Sequence, residues 1–375
     1  MHVLCAVIFS GFLTARGIYV RSQPSWLDGG FGRFDVGAKS PTDSTTTHQE
    51  EAHLGVDWTP AQWLTVHAHG VARKKRGLVE AYVDLRKGDF RLRAGQFFLP
   101  TSHENTDKLW SSPYTISFSA LNTWIGQEVR PIGTELQWQK LTSSSVITLA
   151  GGAFRGNDTM GAHLGWHGWS IGNHLAVYDE VLPLPPLPFF PDQRKGSKSI
   201  GRDLDGRTGF TGRVRVSLPE RAMLQLAHVD NRGDRELYRN EYSWKTRFNV
   251  LSGEIDGQRG TTLASEYGWG STGMGFAPRA FVDLTFYTAY VLLSQTFGRN
   301  RVSARIDVFG TTDRDHSFEE VNSESGRAWT FAWFYNIRPS IRLGAEFANI
   351  SAQRISAPNP NTDGRTVTVE ARYRF

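Results

Sequence analysis

Arginine recurs at alternate positions in this chain: Arg91 and Arg93, Arg213 and Arg215, Arg372 and Arg374, with Lys245 and Arg247 at the same spacing. Arg301, Arg305 and Arg342 stand in similar alternating surroundings. A guanidinium is always charged and offers a planar fork of donors to carboxylate or phosphate. Rows of such groups facing one space would raise the local concentration of anions. Glu80, Asp84, Asp307, Glu346 and Glu370 share the arginine parity, however. They would pair with the cations and brace a wall instead, so an anion ladder and a paired lattice both stand.

Other residues with chemical potential carry less. His67 and His69 lie two apart, a spacing able to share a metal ion, but no carboxylate is near them in sequence. Asp203-Leu204-Asp205-Gly206 has the start of a Ca²⁺ loop without its remaining ligands. Gly270 to Gly275 (GSTGMG) is glycine-rich but no helix pattern follows, so it is not a phosphate cradle. Cys5 is the only cysteine, which excludes an intrachain disulfide and a cysteine metal cluster. No metal or cofactor is expected, and no catalytic residue is assigned.

The elements that would position the arginines follow from period-two patterning. Segment 63–73 (WLTVHAHGVAR) sets Leu64, Val66, Ala68 and Ala72 against Thr65, His67 and His69. Segments 78–86, 90–94, 213–218 and 301–310 alternate in the same way. At the end of the chain Val367, Val369, Ala371, Tyr373 and Phe375 oppose Thr366, Thr368, Glu370, Arg372 and Arg374. Side chains alternate across a strand, so these are half-apolar strands. If the apolar parity faces lipid, the listed cations line the interior. The reverse would cost about 2–4 kcal/mol for each Arg or Lys at the bilayer midplane.

Short polar turns at 59–62, 87–89, 141–144, 218–221 and 338–340 alternate with long connections such as 100–130, 156–206, 231–240 and 311–325. Counting hairpins predicts sixteen strands, beginning with 29–38 and ending with 364–375, which would pair to close the sheet. An even strand number with short turns at one rim and long loops at the other is the pattern of a bacterial outer-membrane barrel. Open sheets rarely exceed about ten strands. Hydrophobic residues make up 39% of the 375, and no apolar run is long enough for a membrane helix, but barrel strands spend only alternate residues on lipid. Trp58, Trp63, Trp138, Trp333 and Tyr335 cluster by the short turns, as an interfacial girdle would. The expected fold class is therefore all-β, a transmembrane antiparallel up-and-down β-barrel with short periplasmic turns and long extracellular loops.

Residues 3–13 have the length and apolarity of a signal-peptide core, although no Lys or Arg precedes them and Ala15-Arg16-Gly17 is a poor cleavage site. Residues 1–17 are expected to be a whole or partial signal segment, and 18–375 a single barrel domain. The proline-rich run 181–191 reads as loop packing. Connection 100–130 is long enough to enter the lumen and narrow it. Connection 156–206, with Trp166, His167, Trp169 and His174, would form a lid, a short helix or a surface loop.

Segment 91–114 (RLRAGQFFLPTSHENTDKLWSSPY) resembles the phosphate-selective porin O and P family of bacterial outer-membrane channels, matching at Gly95, Gln96, Phe97, Pro100 and Glu104. Phe98 stands where that family usually has Lys, and Thr101 where it has an aromatic residue. The resemblance implies a bacterial outer-membrane porin that passes small hydrophilic solutes or anions. It also implies a homotrimer and a terminal Phe375 read by the barrel assembly machinery, with membrane lipid around the wall. Phosphate selectivity there goes with a lysine-bearing inserted loop, whereas 100–130 holds one lysine, Lys108. A barrel hydrolase assembled from distant Ser, His and Asp residues, and a secreted β-sandwich binding protein, remain alternatives. The net charge of +5 is dispersed, without the dense basic stripe a nucleic acid would need.

Overall fold

Period-two alternation becomes sixteen antiparallel strands that close on themselves in chain order, each bonded to its sequence neighbours. The computed structural model describes residues 6–104, 108–278, 281–315, 317, 320–355 and 357–375. The first half of the wall is β1 (Ala6–Arg21), β2 (Ser44–Ala61), β3 (Leu64–Ala72), β4 (Arg76–Lys87), β5 (Phe90–Gln96), β6 (Ile132–Leu141), β7 (Val146–Arg155) and β8 (Gly209–Leu218). The second is β9 (Ala222–Asp230), β10 (Lys245–Asp256), β11 (Thr261–Gly275), β12 (Phe281–Phe297), β13 (Asn300–Asp313), β14 (Glu324–Arg338), β15 (Ile341–Arg354) and β16 (Asn361–Arg374). The all-β antiparallel barrel read from the sequence is the observed fold.

Closure comes from a different first strand than expected. β16 pairs with β1, Phe12 opposite Arg374 through Arg21 opposite Arg365, and not with 29–38. Residues 29–38 lie in the β1–β2 connection, and Ala6–Gly17, expected as signal segment, stands in the wall. The reason is local. On β1 the inward parity carries Phe12, Ile18 and Val20 beside Thr14 and Arg16, so apolar residues occupy both faces and hide the alternation. The terminal carboxylate end is seated closely: Phe375 and Gly11 exchange backbone bonds of 3.0 and 3.1 Å, and the Phe375 ring fills the space a Cβ on residue 11 would need.

The outer face presents Leu54, Leu92, Leu136, Val214, Leu226, Leu251, Val291, Ile306, Phe331 and Val369. Exposed Trp58, Trp63, Phe90, Phe297 and Phe375 gather at the rim of short turns, and Trp333 stacks there on Tyr335 at 6.2 Å. Tyr267 and Trp269, stacked at 5.0 Å, mark the opposite, long-loop side of β11. A closed sheet satisfies every ladder bond within itself, and an apolar exterior flanked by amphipathic rings suits it to span a bilayer.

The core of the molecule lies inside the barrel. Three connections, 22–43, 97–131 and 156–208, fold inward from the long-loop rim and supply most of its buried apolar residues. The second carries helix α1 (Ala120–Glu128), capped by the Ser119 hydroxyl accepting from the Asn122 amide at 3.2 Å. The third carries helix α2 (Ala162–His167), whose N-terminal amides of His163 and Leu164 donate to Glu128 at 2.9 and 3.4 Å. Trp124 of α1 packs edge-on against Trp169, Phe248 and Phe286 at 5.0–5.9 Å.

Candidate functional site

The interior divides into two halves along the barrel axis. Towards the short-turn rim it is lined by ion pairs. On one side Arg91 and Arg93 both reach Asp84, the latter at 3.1 Å, while Arg213 meets Glu135 at 3.3 Å and Arg215 bonds Ser217 at 3.0 Å. Arg93 also stacks over the Tyr82 ring at 4.0 Å. On the other side Glu370 is enclosed by Arg16 at 2.9 Å, Arg342 at 3.0 Å and Arg372 at 3.1 Å, with Glu51 on Arg16 at 3.1 Å. Locally the guanidiniums outnumber the carboxylate they share, two on Asp84 and three on Glu370.

Arg301 and Arg305 hold the inserted connection. Arg301 donates to the Pro113 carbonyl at 3.3 Å and lies over Tyr114, and Arg374 reaches Ser111 at 3.5 Å. Arg305 is almost wholly enclosed. It donates to Asp307 at 2.8 Å, Glu104 at 3.3 Å, Thr115 at 3.1 Å, and the carbonyls of Ser117 and Phe118 at 2.9 and 2.8 Å. Glu346 accepts the Ser117 amide at 3.1 Å, and Glu266 takes Ser102 at 2.6 Å and Asn122 at 2.9 Å. Acids on β11, β13 and β15, alternate strands of one side of the wall, thus tie 97–131 across the lumen, as its length suggested they could.

Lys245 and Arg247 do not line the interior. Both are exposed on the outer parity of β10 near the long-loop rim, where Arg247 bonds Ser271 at 3.4 Å, and Thr246, Phe248 and Val250 point inward. The expectation failed because inward residues of this half face packed protein instead of water, so the apolar parity is the inner one. At the end of a barrel wall a long cation can reach headgroup level, where its cost falls to about 0–1 kcal/mol.

Towards the long-loop rim the interior is packed. Arg33 donates to the His167 and Trp169 carbonyls at 2.7 and 3.0 Å and pairs with Glu324 at 3.2 Å. Arg354 meets the same carboxylate at 3.3 Å. Burial pushes the Glu104 and Glu128 carboxyls up to about 7, against the pull of Arg305 on the former and of amide donors on the latter. Burial also holds the His163 imidazole neutral, down at about 3. Beside this plug runs a cavity of about 1220 Å³, whose lining extends from Arg372 and Tyr373 past Arg16, Glu51 and His174 to Lys74 at the opposite rim.

The other sequence signals are separated. His67 turns to Asp57 at 2.6 Å, whereas His69 turns to His53 at 2.9 Å, so the two do not converge on one ion. Asp203 and Asp205 are joined by a residue the sequence did not suggest, Asp158, their ligand oxygens within 4.8 Å. These oxygens close the loop: Asp158 accepts the Asp205 amide at 3.1 Å, and Asp205 accepts Asp234 N–H at 2.9 Å and Ser243 at 2.8 Å. Gly270 to Gly275 is plain strand within β11. The proline-rich run packs as loop, with Phe190 on Trp166 at 4.7 Å. No Gly-x-Ser-x-Gly elbow was expected, yet Gly168-Trp169-Ser170-Ile171-Gly172 has that spacing. It follows a helix instead of joining a strand to one, and Ser170 only accepts from Gln127 at 3.2 Å, so it is not a nucleophile elbow. His163 also went unremarked, although its four-residue spacing from His167 was visible.

No family model matches the chain, and no curated protein matches it. Solved structures do match over the whole length at low identity. The outer membrane channel DcaP of Acinetobacter baumannii superposes with a TM-score of 0.61 at 11% identity, covering 99% of this chain and 97% of that one. The anion-selective porin from Comamonas acidovorans gives 0.58 at 11%, covering 99% and 100%. OmpT of Vibrio cholerae, an outer-membrane protein, gives 0.57 at 9%, covering all of both chains. At such identity the likeness establishes the porin-type barrel as the fold.

Proposed function

We propose that the chain is a bacterial outer-membrane diffusion channel for small hydrophilic solutes, biased towards anions. The observation that carries the reading is the cavity of about 1220 Å³ whose lining reaches from Arg372 near one rim to Lys74 at the other, inside an apolar-faced closed barrel. The short-turn rim is then periplasmic and the long loops extracellular. The clustering of guanidiniums around Asp84 and Glu370 supports the anion bias by raising local anion concentration beside the cavity. The similar structures, described as an outer membrane channel and an anion-selective porin, are in keeping with it. A trimer form of the Vibrio cholerae OmpT structure makes a homotrimer the assembly to test. The phosphate-selective porin resemblance is not carried to substrate, because the inserted connection lacks a lysine cluster.

Planar bilayer recording is the test. Refolded protein that migrates as a heat-modifiable barrel is expected to give stepwise conductance with reversal potentials displaced towards the anion side in a salt gradient. A folded barrel that never conducts overturns the proposal.

A further inference from the structure

Arg21 on β1 and Arg365 on β16 stand directly opposite one another in the seam that closes the barrel. Both are exposed on the outer wall at the long-loop end of their strands. Neither guanidinium has a hydrogen-bond or ion-pair partner among the described residues. Cross-strand neighbours have Cβ atoms about 4.5–5.5 Å apart, and like charges placed so are destabilising. Elsewhere on this rim the wall avoids the problem, since Arg247 of β10 faces Asp230 of β9. Here the outward faces of β14, β15, β16 and β1 add another cation near the rim, Arg327, and carry one acid among their described residues, Asp363. Asp363 stands opposite Ser351, nearer the rim, and makes no ion pair among the described residues. Below the two arginines the wall turns apolar, with Tyr19, Val367, Val369 and Phe347 exposed. Trp329 lies in the same cross-strand row, one strand beyond Asn349.

We propose that Arg21 and Arg365 form a site for the phosphate of a membrane lipid in the leaflet on the long-loop side. A guanidinium matches two phosphate oxygens with its fork of donors, and two forks facing one gap suit a single phosphate group. The long side chains lay their stems on the apolar wall and hold their charge at headgroup level, where basic residues attract anionic lipid. Tyr19, two residues before Arg21 on the same face, is the amphipathic ring expected at that interface. Acyl chains of the same lipid run down over Val367 and Val369, so headgroup and tails both meet complementary surface. The anion offsets the repulsion across β1 and β16, and the lipid thereby braces the pair of strands that closes the wall. The site lies outside the barrel and does not depend on what the lumen passes.

The test supplies the full-length barrel, refolded in an uncharged detergent, with equal amounts of phosphatidic acid and phosphatidylcholine and counts bound lipid by native mass spectrometry. Phosphatidic acid should be retained in preference to phosphatidylcholine, a comparison on the wild type that stands whether or not a variant folds. Arg21→Gln with Arg365→Gln should weaken that retention roughly thirtyfold, the loss of two cations beside an anionic headgroup. Lys245→Gln with Arg247→Gln should leave it unchanged. Inorganic phosphate should not displace the lipid, because it brings no chains to the apolar wall. Equal retention of the two lipids, equal loss from the two variants, or displacement by inorganic phosphate overturns the site. So does loss of an oligomer with lipid retention unchanged, which would assign the arginines to a second copy.

Discussion

The two halves of the lumen solve opposite problems with one continuous wall. On β10 the inward parity reads Thr246, Phe248 and Val250 near the long-loop rim, then Ser252 and Glu254 further down. On β12 it runs Val282, Leu284 and Phe286 before Tyr290. The backbone alternation never changes, but the environment it faces does: packed loops above, ion-paired groups below. Apolar area leaving water drives the upper half together at about 25 cal/mol per Å². Charges below stay in the wall only because each has partners.

Arg305 stands where the halves meet, and its loss should have the largest effect. Arg305→Ala would leave Asp307 buried without its cation and the Ser117 and Phe118 carbonyls without their donor, a destabilisation of about 3–5 kcal/mol. Chemical denaturation of the refolded barrel measures it, and protease sensitivity of 97–131 should rise in step. A cost near zero would mean that the connection is held by the aromatic core alone.

Acidity should separate the halves more gently. Glu104 and Glu128 keep protons in the folded plug up to about 7, while in the unfolded chain they release them in the ordinary glutamate range. Folding therefore takes up protons between those values, and stability from these groups is greatest below that window and falls as pH rises through about 7. Hydrogen exchange of α1 amides, corrected for intrinsic rate, should show more protection at pH 5 than at pH 8. Glu128→Gln should shrink the difference, and an opposite trend would place the proton uptake elsewhere.

The smallest effect belongs to the lower wall and concerns selectivity more than stability. Replacing Arg213 and Arg215 together by Ala should shift the reversal potential towards cations. Replacing Lys245 and Arg247, which face outward, should leave it where it was. Equal shifts from the two pairs would mean that facing direction does not govern permeation.

The register of the wall was legible because a barrel strand repeats one simple rule, lipid on one side and water on the other. Strands such as β13 and β16 obey it along most of their length, and the strand number follows from counting turns. β1 and the upper end of β10 were misread for one reason: where loops pack inside, the inner face turns apolar and the contrast between faces fades or reverses. Arginine spacing located cations, but could not tell Arg305, enclosed among six loop and wall groups, from Arg215, bonded to a serine hydroxyl.

By itself the sequence determined an antiparallel closed barrel, its strand number, its apolar exterior and its charged lower lumen, all consequences of near-neighbour alternation. Only the tertiary structure decided that three connections meet inside the bore. It also decided that Glu128 caps α2, that Glu324 joins Arg33 to Arg354, and that β1 is the strand that closes the wall. Those contacts join residues tens to hundreds of positions apart, and no local period records which distant side chain will share a buried charge.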